Sequence, residues 1–536
     1  MRRPSSTGCK QTPSCGTRTP FSNSFGCSSW TAWPPAPART SRSCGSWGGA
    51  GRRTSCARSC SRSSGKTPAA TESRCVSATS SMTPARRCNR PSKSAGRPRN
   101  PRLTDRLARQ RQRLRARQAD RFGRMAEQVY RHNPFYRAKW REAGFESPPT
   151  LDDLAALPFT TKEELARDQE ENAPWGTNLT FPLERYVRVH RTSGTTGKPL
   201  RWLDTPASWQ WFLDCWLAVY EGAGVTPADR VFAAFGFGPF IGFWTAFEAA
   251  QQLGCLVQPG GHLSTEQRLQ MMQDDGSTVL LSTPTYALRM LDSARRLGID
   301  LADSAVERTI HAGEPGAGVP AVKRELAEGF GAKVFDHAGA TEVGAWGCPC
   351  GAGERLHILE EEFIVEWFDP STGEPLEPVD PAASDAAEPA LGELVLTNLG
   401  RIGSPVVRYR TGDVGRLCAA GCPSGRPTMY LDGGVLARAD DMFIVRGINV
   451  YPSAVDALVR EAGGVVEYSA TVRRRRQMTE VELEVEPEAG ADSERLRSRL
   501  QDLFEERLSL RVPVRIADAG SLPRYELKAK RFTFLD

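Results

Sequence analysis

Apolar positions divide the chain into stretches of different texture. Residues 1–100 contain no Leu, no Ile and no Asp, and Val76 is their only valine. Such a segment cannot bury enough apolar surface to offset the entropy of ordering it, so disorder is expected. From Leu103 the pattern becomes helical. Leu103, Leu107, Leu114, Phe122, Met125 and Val129 recur in an Arg-rich stretch that stops before Asn133-Pro134. Thr161-Lys162-Glu163-Glu164 is a capping box, with a hydroxyl and a carboxylate three positions apart, and opens another helix.

Beyond residue 200, short apolar runs at 231–235, 279–283, 308–312 and 332–336 alternate with helical stretches such as 265–274 and 319–328. That alternation is the α/β pattern of a layered sheet. From about 361 the texture turns to strands with Pro- and Gly-rich turns, as in EFIVEWF and GELVLTNL. After Asp440 a helix at 453–461, strands at 465–472 and 480–486 and a helix at 493–508 are predicted. The expected fold class is therefore α/β. A large N-terminal domain of layered sheets with a β-rich subdomain spans 101–438, and a small α+β domain spans 439–536.

Charge sharpens the division at residue 100. Residues 1–100 hold 18 Lys or Arg and a single acid, Glu72, whereas the rest holds 52 Lys or Arg against 62 Asp or Glu. An acidic body argues against nucleic acid as its main partner. Eight of the 14 cysteines also lie in the first 100 residues, and the six that remain are too sparse for a disulfide scaffold, as in a reduced cytoplasmic protein. No apolar run is long enough for a membrane span or a secretory leader. For residues 1–100 a basic arm and a targeting peptide are both compatible. The favoured expectation is an out-of-frame reading of a GC-rich gene, with the true start near residue 100.

The stretch with the clearest chemistry is RVHRTSGTTGKPL, 188–200. Thr192, Ser193, Gly194, Thr195, Thr196, Gly197 and Lys198 combine backbone freedom, hydroxyl donors and one cation, the parts of a phosphate cradle. It is not a Walker loop, because only two residues separate its glycines and Pro199 follows the lysine. Proline biases Lys198 toward an extended conformation, so the loop is expected to run into a strand or turn.

Further motifs follow in a definite order: His311-Ala312-Gly313-Glu314-Pro315-Gly316, then Asp336-His337-Ala338-Gly339-Ala340-Thr341-Glu342, then Arg408-Tyr409-Arg410-Thr411-Gly412-Asp413. ADDMFIVRGINVYP from Ala439 and Leu522-Pro523-Arg524-Tyr525-Glu526-Leu527-Lys528-Ala529-Lys530-Arg531 complete the series. Each is weak alone. In this order and spacing they resemble the phenylacetate–CoA ligase group of the adenylate-forming superfamily, which also holds acyl-CoA synthetases, adenylation domains and luciferases.

The resemblance implies an AMP-forming acid–thiol ligase using ATP, Mg²⁺ and coenzyme A. A carboxylate becomes an acyl-adenylate, and a thiol then displaces AMP. An alternative keeps the adenylation but passes the acyl group to a carrier-protein thiol or an amine. The resemblance also implies the roles. Loop 192–198 holds the β- and γ-phosphates, and Gly313, Glu314 and Pro315 lie at the nucleotide. Thr341 sits at the α-phosphate, Glu342 holds Mg²⁺, Asp413 accepts from the ribose hydroxyls, and Arg438 reaches the nucleotide. Lys528 bridges carboxylate and α-phosphate, and the mobile C-terminal domain turns about Asp440 between the two steps. Many relatives place a tyrosine on the adenine where this chain has Ala338, so either His337 supplies a flat face or an aromatic from elsewhere does.

Two further clusters complete the expectations. Cys255, His262, Cys348 and Cys350 are donors of the types that tetrahedral zinc takes, and some members of the resembling group carry a structural zinc with this order of ligands. His357, Cys418 and Cys422 are possible substitutes. Phe235, Phe237 and Phe240, in a loop rich in aromatics and glycines, together with Gly339 are the expected lining of the acid pocket and suit an aryl or arylacetic acid. Expected partners are that acid and coenzyme A or a carrier protein, with no nucleic acid or membrane, and a homodimer is permitted.

Overall fold

A computed structural model describes residues 101–192, 199–351, 355–380, 389–419, 422, 424–445, 448–475, 478–525 and 529–535. Expectations about residues 1–100, Ser193–Lys198 and Lys528 therefore lie outside the described residues. The described residues all belong to one compact unit.

The described residues open with the predicted helix, α1 (Pro101–His132). Asn133 then caps α2 (Pro134–Glu142), its side chain accepting from Tyr136 N. The capping box forms as expected at the start of α3 (Lys162–Glu171), where the Thr161 side chain accepts from Glu164 N. A hairpin follows, β1 (Arg188–Arg191) antiparallel to β2 (Arg201–Asp204), with the cradle stretch between its strands.

The next elements alternate as the apolar pattern predicts. They are α4 (Pro206–Ala223), β3 (Arg230–Ala233), α5 (Ile241–Leu253), β4 (Leu256–Pro259), α6 (Thr265–Asp274), β5 (Val279–Ser282), α7 (Pro284–Leu297), β6 (Arg308–His311), α8 (Pro320–Phe330) and β7 (Lys333–Asp336). The strands form one parallel sheet in the order β4-β3-β5-β6-β7. Its central strands are covered on both faces, which is why they read as short continuous apolar runs. Val231, Val279 and Ile310 pack into one core, whereas Phe232, Leu280 and Val334 pack into another with α6, α7 and α8.

A second, antiparallel sheet contains β8 (Ala338–Ala340), β9 (Gly344–Pro349), β10 (Arg355–Ile358), β11 (Phe363–Phe368), β12 (Leu391–Asn398), β13 (Tyr409–Cys418) and β14 (Tyr430–Asp432). The short β15 (Ala437–Arg438) pairs with β13. Strand texture therefore begins some twenty residues before the 361 expected, because β8 and β9 are too rich in Gly and Ala to show a period-2 pattern.

The remainder has its own core, drawn from Phe443 to Val514. It comprises a hairpin of β16 (Phe443–Val445) and β17 (Ile448–Val450), then α9 (Pro452–Ala462), β18 (Val465–Arg475), β19 (Met478–Pro487), α10 (Ser493–Leu508), β20 (Val514–Ile516) and β21 (Phe532–Leu535). Its main sheet is mixed, in the order β20-β19-β18-β21. Among the described residues, no helix is long and apolar enough to cross a membrane.

Candidate active site

In a parallel sheet the loops at the carboxyl ends of the strands are the usual place for a ligand. Here those loops carry the expected residues: 234–240 after β3, 260–264 after β4, 312–319 after β6 and His337 after β7. The hairpin of β1 and β2 adjoins them, because Arg191 N donates to Pro239 O at 2.8 Å. Thr192 closes its neck. Its N–H donates to Leu200 O at 3.0 Å, and its hydroxyl accepts from Leu200 N at 3.0 Å. Thr192 thus shapes the base of the loop, its hydroxyl oxygen already bonded.

Thr341 and Glu342 are held from behind by a residue that the sequence did not single out. Arg401 is fully buried and grips Asp204 at the end of β2 with two bonds, Nε to Oδ1 at 2.8 Å and Nη2 to Oδ2 at 2.7 Å. Its remaining nitrogen, Nη1, donates to the carbonyls of Thr341 at 2.7 Å and Glu342 at 3.2 Å. The guanidinium lies over Trp202 and Phe212, each ring centre 4.7 Å away. One cation therefore ties the strand leaving the cradle to the segment expected at the α-phosphate. Among the described residues the Glu342 carboxylate has no hydrogen-bond or ion-pair partner, an arrangement that fits a hard cation.

Asp413 and Arg438 meet because β13 and β15 pair in that register, and Arg438 Nη1 donates to Asp413 Oδ1 at 2.9 Å. Tyr409, the first residue of β13, is buried. Burial raises its hydroxyl well above the usual range, with the Glu342 carboxylate adding to the rise and Arg438 opposing it.

His337 corrects an expectation. Its ring is buried, 4.3 Å from the Trp216 ring centre, and Nδ1 lies 2.6 Å from Gly347 O. Burial lowers its pKa to about 4, so the ring is neutral and is part of the wall. It offers no open face to an adenine. Glu314, on the loop after β6, makes two contacts. Its carboxylate accepts from Thr285 N in the first turn of α7 at 2.9 Å and from Ala529 N at 3.3 Å. It faces protein amides at both oxygens.

In the expected acid pocket, Phe235 stacks on Phe243 at 4.2 Å, and Phe237 lies edge-on to Trp244 at 4.9 Å and to Phe247 at 5.2 Å. Phe235 belongs to the core, while Phe237 and Phe240 are partly exposed. A Cβ on Gly339 would come within 2.9 Å of Gly344 O, so the backbone there runs too close to β9 for a side chain.

The metal set is a second correction. Among the described residues, the donors that gather are Cys350, His357 and Cys422, all within 4.8 Å of one another. Cys255, His262 and Cys348 are not in the group. Cys255 Sγ donates to Thr226 O at 3.2 Å, Arg426 donates to Cys348 Sγ at 3.1 Å, and His262 sits exposed on the loop after β4. The reason is strand geometry, because β9 lies beside β10 and β10 beside β14, which brings the 350, 357 and 422 regions together. His357 Nδ1 is 2.9 Å from Thr428 Oγ1, leaving buried Nε2 without a protein partner. An orphaned imidazole nitrogen facing two thiols fits a zinc ion. Burial opposes ionisation of Cys422, but hydrogen bonds from Ser424 and Cys350 outweigh it and lower its pKa. Burial instead raises the Cys348 thiol to about 11.

The chain is 32% identical over 440 residues to the phenylacetate–coenzyme A ligase of Thermus thermophilus, covering 78% of this chain and 95% of that one. It is 31% identical to the enzyme of that name from Pseudomonas putida, covering 78% and 93%. The chain belongs to the phenylacetate–coenzyme A ligase family. Residues 447–534 match the AMP-binding enzyme C-terminal domain family.

Among solved structures, 2-hydroxyisobutyryl-CoA ligase in the postadenylation state with an acyl-AMP is 26% identical to the chain. Its TM-score is 0.71, with 78% of this chain and 88% of that one covered. The same ligase in the thioesterification state, with acyl-AMP and CoA, is 28% identical at a TM-score of 0.58, covering 79% and 90%.

Proposed function

We propose that this chain joins an aromatic carboxylic acid to coenzyme A in two steps driven by ATP. In the first, a carboxylate oxygen attacks the α-phosphorus, the bond to the β-phosphate oxygen breaks, and pyrophosphate leaves from loop 192–198. In the second, the coenzyme A thiolate attacks the acyl carbon and AMP departs with the bonding pair. The carrying observation is the pairing of Asp413 with Arg438, fixed by the register of β13 and β15, in a chain of this family. The aromatic character of loop 235–247 and the activity of the named relatives support an aryl or arylacetic acid.

Both substrates of the first step are anions, so the site must neutralise charge and align the reactants. Lys528 supplies the cation between the acid and the α-phosphate, Thr341 positions that phosphate, and Asp413 accepts from the ribose. Glu342 fits Mg²⁺, which when bound neutralises phosphate charge. Cys350, His357 and Cys422 hold a structural zinc away from the chemistry.

The domain arrangement matches the postadenylation state of the related ligase better than its thioesterification state. That match supports reading residues 439–536 as a small domain that turns about Asp440 between the two steps. The setting is the cytoplasm, where ATP and coenzyme A are both available.

Pyrophosphate release across a panel of aryl, arylacetic and aliphatic acids, with and without coenzyme A, tests the reading. Release with an aromatic acid and thioester formation on adding coenzyme A are expected. Release throughout the panel only with a carrier protein or an amine would replace the acceptor, and no acid-dependent release would refute the function.

A further inference from the structure

Glu314 stands between two parts of the molecule that the proposed cycle must bring together and then separate. Oε1 accepts from Thr285 N at 2.9 Å. That N–H belongs to the first turn of α7, where backbone donors lack helical partners and a carboxylate is favoured. Oε2 accepts from Ala529 N at 3.3 Å, in the residue that directly follows Lys528. One carboxylate thus holds an amide of the large domain and an amide beside the proposed catalytic lysine.

The far end of that contact is firmly built. Two residues after Ala529, Arg531 is buried over Tyr468, its guanidinium 5.2 Å from the ring centre. It donates to Glu467 at 2.6 Å from Nε and to Asp456 at 3.3 Å from Nη1. Ala470 N donates to Arg531 O at 2.7 Å, and β21 continues the sheet beside β18. The Ala529 amide therefore moves with the small domain, and its bond to Glu314 can exist only while that domain faces the large one.

We infer that Glu314 is a positioning residue for adenylation: a latch that holds the small domain, at Ala529, against the large one for the first step and releases it for the thiol step. This rests on the proposed two-step function. A group that favours one of two domain arrangements shifts their populations by its differential interaction alone. A single acceptor bond is enough to bias the arrangement and weak enough to let go.

Glu314→Gln separates the two contacts. Glutamine has one side-chain oxygen, which retains the shorter bond to Thr285 N, and its NH₂ group then confronts the Ala529 N–H with no acceptor. Acid-dependent ATP–pyrophosphate exchange is expected to fall roughly tenfold or more, the scale of a lost hydrogen bond to a charged group. Thioester formation from supplied acyl-adenylate and coenzyme A is expected to hold or rise, with an unchanged thermal midpoint. Glu314→Ala, which breaks both contacts, should lose exchange and also some thermal stability. Equal loss of both half-reactions in Glu314→Gln, or loss of neither, overturns the inference. Absence of exchange in the unaltered protein refutes the ligase reading instead, so the two failures are distinguishable.

Discussion

The segment carrying Thr341 and Glu342 and the segment beside Lys528 serve the same proposed chemistry but are held in opposite ways. The first is gripped by Arg401, whose charge and that of Asp204 are both fully buried and mutually satisfied. The second meets the large domain, among the described residues, through the bond from Ala529 N to Glu314. The difference separates a part that must stay fixed through both steps from a part that must leave between them. Buried paired charges cost several kcal/mol when broken, so they suit the fixed part, whereas one part-buried hydrogen bond suits the mobile part.

Arg401→Met should have the largest effect. It leaves Asp204 charged, buried and unpartnered, and it frees the Thr341 and Glu342 carbonyls. A stability loss of about 3–5 kcal/mol is expected in urea unfolding, with both half-reactions falling together. Tryptophan fluorescence is the appropriate probe because no tryptophan follows Trp367 and nine of the twelve lie between Trp140 and Trp367, so the small domain adds nothing to the signal. Loss of one half-reaction only would erase the distinction between brace and latch.

Lys528→Ala comes next. Adenylation should fall by about 10²–10³, the scale of removing one positioned charge from a transition state. Thioester formation from supplied acyl-adenylate should persist, as should the urea midpoint by tryptophan fluorescence. Equal loss of both half-reactions would contradict the role given to Lys528.

Cys422→Ser probes a third kind of attachment within the large domain. It should abolish stoichiometric zinc and lower stability by about 1–3 kcal/mol while leaving the KM for ATP unchanged. Full zinc content in the variant would remove Cys422 from the ligand set.

The legible and illegible parts of the sequence follow the same physical line. Strands β3, β5 and β6 were visible because burial on both faces writes a continuous apolar run into local sequence. The helix at 493–508 emerged with the bounds expected. Cys350, by contrast, was grouped with Cys348 by adjacency, and its partners come from strands that only pairing brings near. The Arg401–Asp204 pair spans 197 positions and has no local signature. Glu314 was visible as part of a nucleotide motif, but nothing nearby reveals that its second oxygen serves the C-terminal segment.

The smallest effect concerns acid, and it again divides the two regions. All six histidines precede residue 358, so the small domain has none. Burial, the largest cause, lowers His190 from an ordinary 6.5 to about 4. The unfolded chain therefore takes up a proton between about pH 6.5 and 4 that the folded chain refuses, and this group costs stability progressively as pH falls through that window. Asp336 acts with the opposite sign. Burial raises it to about 7, so the folded chain holds a proton that the unfolded chain has lost, and its unfavourable contribution fades as pH falls from 7 toward 4. Measured by tryptophan fluorescence, the stability of the unaltered protein relative to His190→Gln should worsen by about 1 kcal/mol between pH 7 and pH 5. Relative to Asp336→Asn it should improve over the same interval. Shifts of the same sign in both comparisons would mean that at least one of these buried groups is hydrated in the folded protein, and that the large domain is looser around its site than its hydrogen bonding implies.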